Sequence, residues 1–167
     1  NSIHENQWML CTCSRWARKI FSRWLESRAF QAKEDRVKIL LIGGGLIGRE
    51  RLDALKLIST NFSLDIDITV VDSNQETLSF VKEKYNCTCA SKITDLTSNS
   101  YDWVFVSTPH SEAVDLIIES YQIAKNILVE KPLGRNLEEC NMIIDNKPQN
   151  VNLYVGLNYR FYRGINQ

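Results

Sequence analysis

Residues 43–48 and Asp72 have the types and spacing of a nucleotide-binding site. Residues 43–48 read Gly-Gly-Gly-Leu-Ile-Gly, which satisfies G-x-G-x-x-G, and Asp72 follows 24 residues after Gly48. In such a loop the first glycine permits a tight turn, the second lets a pyrophosphate approach the backbone, and the third lets a helix pack close to a sheet. Backbone N–H groups and the positive end of the helix dipole then face the phosphates. The loop residues expected to contact the cofactor are Gly43, Gly45, Leu46, Ile47 and Gly48.

Asp72 is the candidate acid of this site. A carboxylate at the end of the second strand accepts hydrogen bonds from the ribose diol of an adenosine. A 2′-phosphate there would meet like charge, and neither Ser73 nor Asn74 offers a cation, so NAD is expected in preference to NADP. Two other interpretations remain open. The loop could be only a tight turn with Asp72 capping the next helix, or the site could hold the nucleoside-type cofactor of a methyltransferase.

Polar residues also follow two later apolar runs. The first run leads into Ser107-Thr108-Pro109-His110, and the second into Glu130-Lys131-Pro132-Leu133-Gly134. Ligands of open α/β sheets bind outside the carboxyl ends of the strands, so Lys131 is the candidate catalytic residue, a cation able to donate a hydrogen bond to a substrate oxygen. Each of these residues also has an interpretation without a function. His110 could be a solvent-facing residue at the start of a helix, and Glu130 and Lys131 could form a surface ion pair, which would contribute little to stability.

Short apolar runs alternate with stretches of helical periodicity after residue 36. Strands buried on both faces and separated by helices are typical of a parallel sheet. The sequence therefore predicts an α/β fold, a doubly wound Rossmann-type sheet of about six strands with an extra N-terminal helix. Strands are expected at 37–42, 66–71, 87–90, 103–107, 127–130 and 151–156. Helices are expected at 46–59, 74–85, 111–124 and 136–145.

Composition excludes several classes of protein. The 167 residues are 44% hydrophobic and 24% charged, as in an ordinary globular domain, and contain no apolar run long enough to span a membrane. The formal charge of zero argues against a nucleic-acid partner. Five cysteines without a signal peptide indicate free thiols in a reducing compartment, and the cytoplasm is expected. The two Cys-x-Cys pairs, at 11–13 and 87–89, leave zinc as a minor alternative.

Residues 1–36 differ from the remainder of the chain. They contain three of the four tryptophans and seven Lys/Arg against four Asp/Glu, a net charge of +3. Trp16, Ile20 and Trp24 recur every four residues, which predicts an amphipathic helix. Such a helix could lie on a membrane surface or a partner, or could pack its aromatic stripe on the domain. The second interpretation is favoured.

The chain after this leader resembles the Gfo/Idh/MocA oxidoreductases. The resemblance rests on the segments VKILLIGGGLIGRERLDAL, VVDSN, VFVSTPHSEA, NILVEKPLGRNLEEC and VGLNYRF. It implies an NAD-dependent oxidoreductase that transfers a hydride between nicotinamide and a sugar, polyol or related substrate, with the E-K-P lysine in the active site. It also implies oligomerisation of the complete enzyme. Cofactor contacts implied beyond the loop are Asp72, Ser107, Thr108, Pro109, His110, Glu130, Lys131, Pro132, Asn158 and Arg160.

Two departures from the family pattern bear on the activity. The family often reads T-P-N-x-x-H, whereas His110 and Ala113 occupy the Asn and His positions here, and Arg51 stands where a His is common. The chain also stops where the family's substrate domain begins, so residues 37–157 are expected to form the dinucleotide-binding domain and 158–167 the start of a truncated second domain. The chain alone is then expected to bind cofactor with little turnover. The remaining alternative is a non-catalytic NAD sensor or interaction module.

Overall fold

The computed structural model describes residues 36–96 and 100–157, which form an α/β fold. Its strands are β1 (Val37–Ile42), β2 (Ile66–Val71), β3 (Thr88–Ala90), β4 (Tyr101–Val106), β5 (Ala124–Glu130) and β6 (Asn152–Gly156). Its helices are α1 (Leu46–Phe62), α2 (Gln75–Tyr85), α3 (His110–Ser120) and α4 (Leu137–Asp145), and a 3-10 turn lies at Ile93–Asp95. Within these ranges, no helix combines the length and the apolar character needed to cross a bilayer.

The strands form one parallel sheet in the order β3-β2-β1-β4-β5-β6. The order reverses between β1 and β4, which are neighbours although two strands separate them in sequence. Ile42 at the end of β1 is in register with Val106 at the end of β4. The chain segments that follow these two strands therefore leave the same edge of the sheet side by side. This topological switch point is where open α/β sheets bind ligands, and the predicted Rossmann-type fold class is confirmed.

The chain divides into two compact units, and the larger one comprises residues 38–49 and 67–156. Apolar side chains of the strands and of α3 and α4 form its core. Tyr121 is buried there, and its hydroxyl donates a hydrogen bond to the backbone carbonyl of Ile143 at 2.8 Å. The core is built from Leu40, Ile42, Val71, Val104, Val106, Ile117, Ile127, Val129 and Ile143.

The smaller unit, as far as it is described, comprises residues 36–37, 50–66 and 157. Leu52, Leu55 and Ile58 are buried at helical spacing along α1. The backbone N–H of Val37 donates to the carbonyl of Asp65 at 2.9 Å. This hydrogen bond joins the start of β1 to the turn that precedes β2.

Several element bounds differ from those predicted. The third helix ends at Ser120, not at residue 124, because residues 121–123 turn and β5 begins at Ala124. The N–H of Tyr101 donates to the carbonyl of Ile123 at 2.8 Å, so β4 also begins two residues earlier than predicted. The predictions for the leader before Arg36, for Asn158 and Arg160, and for a second domain starting at 158 lie outside the described residues.

Candidate functional site at the carboxyl ends of the strands

The glycine loop begins at a turn between two neighbouring strands. The N–H of Gly43 donates to the carbonyl of Val71 in β2 at 2.8 Å, and the N–H of Ser107 donates to the carbonyl of Ile42 at 2.8 Å. Gly43 has a φ of +94°, a conformation that other residues rarely adopt. A Cβ added there would lie 2.7 Å from the carbonyl oxygen of Ser107. The turn therefore requires glycine at this position.

The two later glycines of the motif have different surroundings. A Cβ on Gly48 would overlap the carbonyl oxygen of Gly43, so this glycine lets the start of α1 approach the turn. A Cβ on Gly45 would meet no atom within 4 Å, which leaves open space above its backbone. Leu46 and Ile47 begin α1 with 71% and 39% of their surface exposed. The loop thus presents an open backbone face at a helix N-terminus.

Asp72 accepts two backbone hydrogen bonds, one of them from this loop. Its Oδ2 accepts the N–H of Gly44 at 2.7 Å, and its Oδ1 accepts the N–H of Asn74 at 2.8 Å. Helix α2 is capped by Asn74, whose side-chain oxygen accepts the N–H groups of Glu76 and Thr77. The alternative in which Asp72 caps this helix is therefore wrong. The carboxylate is oriented by the glycine loop itself.

A cleft of about 490 Å³ opens beside the loop, the end of β2 and the segment after β4. Thr108 contributes a hydroxyl oxygen that is buried and has no hydrogen-bond partner in the described part of the chain. Buried polar atoms are nearly always hydrogen-bonded, so this hydroxyl is suited to a bound ligand. The predicted site residues that line the cleft are Gly43, Gly45, Asp72, Ser107, Thr108 and Pro109.

The other described site residues lie outside the lining of this cleft. Lys131 is exposed directly after β5, and its peptide bond to Pro132 is cis. Since Val106 of β4 is in register with Val129 of β5, Lys131 follows the strand adjacent to the one that leads into Thr108. The residues outside the lining are Leu46, Ile47, Gly48, His110, Glu130, Lys131 and Pro132.

The segment after Lys131 is fixed by a charged pair that the sequence analysis missed. Arg135 donates to Glu139 twice, from Nε to Oε1 and from the backbone N–H to Oε2, both at 2.7 Å. Hydrogen bonds from Arg135 hold the pKa of Glu139 below its usual value. Asn136 caps α4 by accepting the N–H of Glu139 at 2.9 Å. Opposite charges four residues apart were visible in the sequence, but Arg135 precedes the helix, so helical spacing alone did not indicate this pair.

Two groups of cleft residues were also missed. One follows β3, where Ser91, Lys92, Ile93 and Thr94 line the cleft. The other is a face of α3. Its spacing of four and three residues was visible in the sequence, but the chain alone did not indicate which face of the helix meets the cleft. The lining residues on α3 are Glu112, Leu116 and Glu119.

Comparisons with known proteins agree with this architecture. An uncharacterized oxidoreductase of Streptococcus pneumoniae is 27% identical over 131 residues, which cover 77% of this chain and 34% of that protein. The crystal structure of a probable dehydrogenase from Thermotoga maritima superimposes with a TM-score of 0.67 at 27% identity, covering 78% of this chain and 38% of that one. The chain therefore spans little more than a third of the length of these relatives.

A third similar protein is the WlbA dehydrogenase from Bordetella pertussis, whose structure is a complex with NADH and UDP-GlcNAcA. It superimposes with a TM-score of 0.66 at 20% identity, covering 76% of this chain and 39% of that one. The sequence model of the family described as "Oxidoreductase family, NAD-binding Rossmann fold" matches residues 37–157, most of the chain. The sheet order, the glycine loop and this match agree, and the chain belongs to the Gfo/Idh/MocA oxidoreductase family.

Proposed function

We propose that residues 37–157 bind NAD, with the adenosine ribose diol on Asp72 and the pyrophosphate at the glycine loop. The observation that carries this proposal is the hydrogen bond from the Gly44 N–H to Asp72 Oδ2 at 2.7 Å. It fixes an acceptor for the diol beside the backbone that would hold the phosphates. The open space above Gly45 and the unpartnered Thr108 hydroxyl also fit such a ligand.

The cofactor would supply the hydride in the complete protein, and the residues of this chain would bind and orient the reactants. Lys131 is exposed beside the strand end that leads into Thr108. Its ammonium can donate a hydrogen bond to the reacting oxygen of a substrate and stabilise negative charge there. We assign Lys131 the catalytic role on this ground and on the family's E-K-P motif. The contacts of Glu130, Pro132, His110, Asn158 and Arg160 are part of the same proposal.

A carbohydrate-like hydroxyl or carbonyl compound is the proposed substrate class. The WlbA dehydrogenase of Bordetella pertussis has been crystallised with NADH and UDP-GlcNAcA together. Residues 158–167 would lead into a second domain that supplies the substrate contacts and the group that moves the proton. Two walls of a cleft are needed to hold both reactants in a reactive geometry. Residues 37–157 alone would therefore bind the cofactor but oxidise a sugar slowly.

Titration with NADH tests the cofactor proposal. NADH at 100 times its dissociation constant adds about 2.7 kcal/mol to the free energy of unfolding, which a thermal melt detects. Asp72→Ala should abolish most of this increase, while Asp145→Ala, an exposed carboxylate at the end of α4, should retain it. Asp72→Asn keeps an oxygen that can accept the Gly44 N–H. It therefore distinguishes a loss of NADH binding from a change in the conformation of the glycine loop. An NADH response that persists in both Asp72 variants would refute the assignment.

Steady-state kinetics of the complete enzyme test the role of Lys131. Lys131→Met removes the ammonium and keeps most of the side-chain volume. The expected result is a kcat lowered by about tenfold to a hundredfold, because a hydrogen bond to charge in the transition state contributes about 1.5–3 kcal/mol, with the dissociation constant for NADH little changed. A normal kcat in this variant would exclude Lys131 from the reaction.

A further inference from the structure

Lys92 lies in the same cleft as Asp72 although the two residues are distant in sequence. It lies two residues after the end of β3, and β3 is the neighbour of β2, which ends just before Asp72. Both residues line the cleft together with Ser73 and Ser91. The ends of β2 and β3 thus bring a carboxylate, a cation and two hydroxyls to one wall of the candidate nucleotide site.

The backbone at Lys92 is fixed while its side chain is available. Its N–H donates to Asp95 Oδ2 at 3.1 Å, and its carbonyl accepts the N–H of Asp95 at 3.2 Å. The residue is exposed, and its ammonium has no ion-pair or hydrogen-bond partner within residues 36–96 and 100–157. Lys92 can therefore pair with a ligand without first breaking a contact to a described residue.

Lys92 carries a positive charge in a cleft whose other charged lining residues, as far as the chain is described, are acidic. Among the described residues that line the cleft, it is the one cation, beside the carboxylates of Asp72, Glu112 and Glu119. Without Lys92, this wall would repel any group that adds negative charge to the adenosine ribose. Asp72 cannot turn away, because both of its oxygens are bonded to the backbone at Gly44 and Asn74. Lys92, the cation after the neighbouring strand, can offset the negative charge of Asp72.

We propose that Lys92 is a specificity-determining residue of this cleft, which pairs with a 2′-phosphate on the adenosine ribose and so lets the chain accept NADP(H) as well as NAD(H). This inference rests on the proposed function, since it needs the adenosine ribose at Asp72. Ser73 and Ser91 would add hydroxyl donors to the phosphate oxygens. Charge-assisted hydrogen bonds of this kind are the stronger ones in proteins. The preference for NAD(H) is then smaller than Asp72 alone would impose.

The test compares NADPH with NADH on one protein. Dissociation constants for both nucleotides are measured by titration calorimetry for the unaltered chain, for Lys92→Met and for Lys125→Met. Lys125 is an exposed lysine at the start of β5 outside the cleft, and its substitution is the matched control. In Lys92→Met the affinity for NADPH relative to NADH should fall about tenfold. The ratio in Lys125→Met should equal that of the unaltered chain.

Salt and a conservative variant add a second measurement. The relative affinity for NADPH should decline as ionic strength rises, because the pair is partly exposed and therefore screened, and Lys92→Arg should preserve it. An unchanged ratio of the NADPH and NADH affinities in Lys92→Met overturns the inference, and this includes an equal fall in both affinities. The proposed binding of NAD by the unaltered chain is not affected by that result. Failure of the unaltered chain to bind either nucleotide overturns the proposed function and this inference together.

Discussion

Asp72 Oδ2 lies 2.7 Å from the backbone nitrogen of Gly44 and accepts its N–H. This bond joins the residue after β2 to the loop after β1, so the acid and the loop are directly connected. Gly43 reinforces the connection, because its N–H donates to the carbonyl of Val71. A change in the loop should therefore alter the position of the acid as well as the phosphate site.

Alanine at Gly48 should lower the stability of the fold, whereas alanine at Gly45 should weaken NADH binding and leave stability nearly unchanged. Gly48→Ala places a methyl group onto the carbonyl oxygen of Gly43, and overpacking against backbone costs about 1–3 kcal/mol of unfolding free energy. Gly45→Ala meets no protein atom and should change stability by less than about 0.5 kcal/mol. It should nevertheless weaken NADH binding, because the methyl group occupies the space proposed for the pyrophosphate.

Urea unfolding and NADH titration of both glycine variants separate these effects. Each variant serves as the control of the other, since both add one methyl group within the same loop. A stable Gly48→Ala would show that the turn relaxes easily. Unaltered NADH affinity in Gly45→Ala would mean that the phosphates do not lie against this backbone.

Stability should depend on pH through Glu139. Hydrogen bonds from Arg135 lower its pKa below the ordinary 4.5, so the folded state favours the ionised form. The contribution is complete above the unfolded pKa and disappears as the pH falls through the lower folded pKa. The difference in unfolding free energy between the unaltered chain and Glu139→Gln should therefore be largest near neutral pH and shrink below about pH 4.5.

The measurement for Glu139 is urea unfolding of both proteins across the acid range. Glu138→Gln is a suitable control, because Glu138 is the exposed neighbour on the same turn of α4. A stability difference that stays constant as the pH falls would show that the carboxylate charge of Glu139 does not contribute. Equal pH dependence in the Glu138 variant would point to the helix terminus in general.

Tyr121 should titrate at unusually high pH. Burial raises its pKa from 10.0 to about 12, and its hydroxyl donates to the carbonyl of Ile143. Its stabilising effect is complete below pH 10 and is lost as the pH rises toward the folded pKa. Tyr121→Phe removes the hydroxyl and should cost about 1 kcal/mol, because it leaves the Ile143 carbonyl without this donor.

Ultraviolet absorbance of the phenolates, recorded for the unaltered chain and for Tyr121→Phe, checks the prediction for Tyr121. The step that disappears in the variant should be the one near pH 12. Loss of a step near the ordinary pKa would show that solvent reaches this hydroxyl in the folded protein.

Cys87 should resist alkylation in the folded protein. It is 8% exposed. Burial is the main cause that raises the pKa of its thiol from 9.0 to about 12, and the nearby thiol of Cys89 raises it further. The reactive thiolate is then almost absent at neutral pH. Iodoacetamide labelling followed by peptide mass spectrometry should detect modified Cys87 only after unfolding in denaturant. Equal labelling rates in the native and denatured protein would contradict this prediction.

The two Sγ atoms of Cys87 and Cys89 lie 3.9 Å apart, and both thiols are free. Within residues 36–96 and 100–157, no group of three His, Cys, Asp or Glu side chains is arranged to hold a metal ion. The second Cys-x-Cys pair, at residues 11–13, lies outside these ranges. The labelling experiment thus reports on Cys87 as a buried thiol immediately before β3.

Local sequence determined the elements and the glycine loop. The apolar run of β1 and the glycines after it specify a buried strand and a tight turn, because strand burial and positive φ depend on neighbouring residues. The position of Asp72 after β2 followed from the same alternation. The cap of α2 was also decided locally, since the side chain of Asn74 accepts the N–H groups of Glu76 and Thr77.

Tertiary structure alone decided which distant residues share the cleft. Lys92 reaches the wall beside Asp72 because β3 pairs with β2, and Glu112 reaches the cleft because α3 follows a strand that pairs with β1. Strand order depends on packing between segments far apart in the chain, which periodicity within one segment does not encode. The sequence by itself thus determined the glycine loop and the acid that follows β2, while the sheet order determined the charges around them.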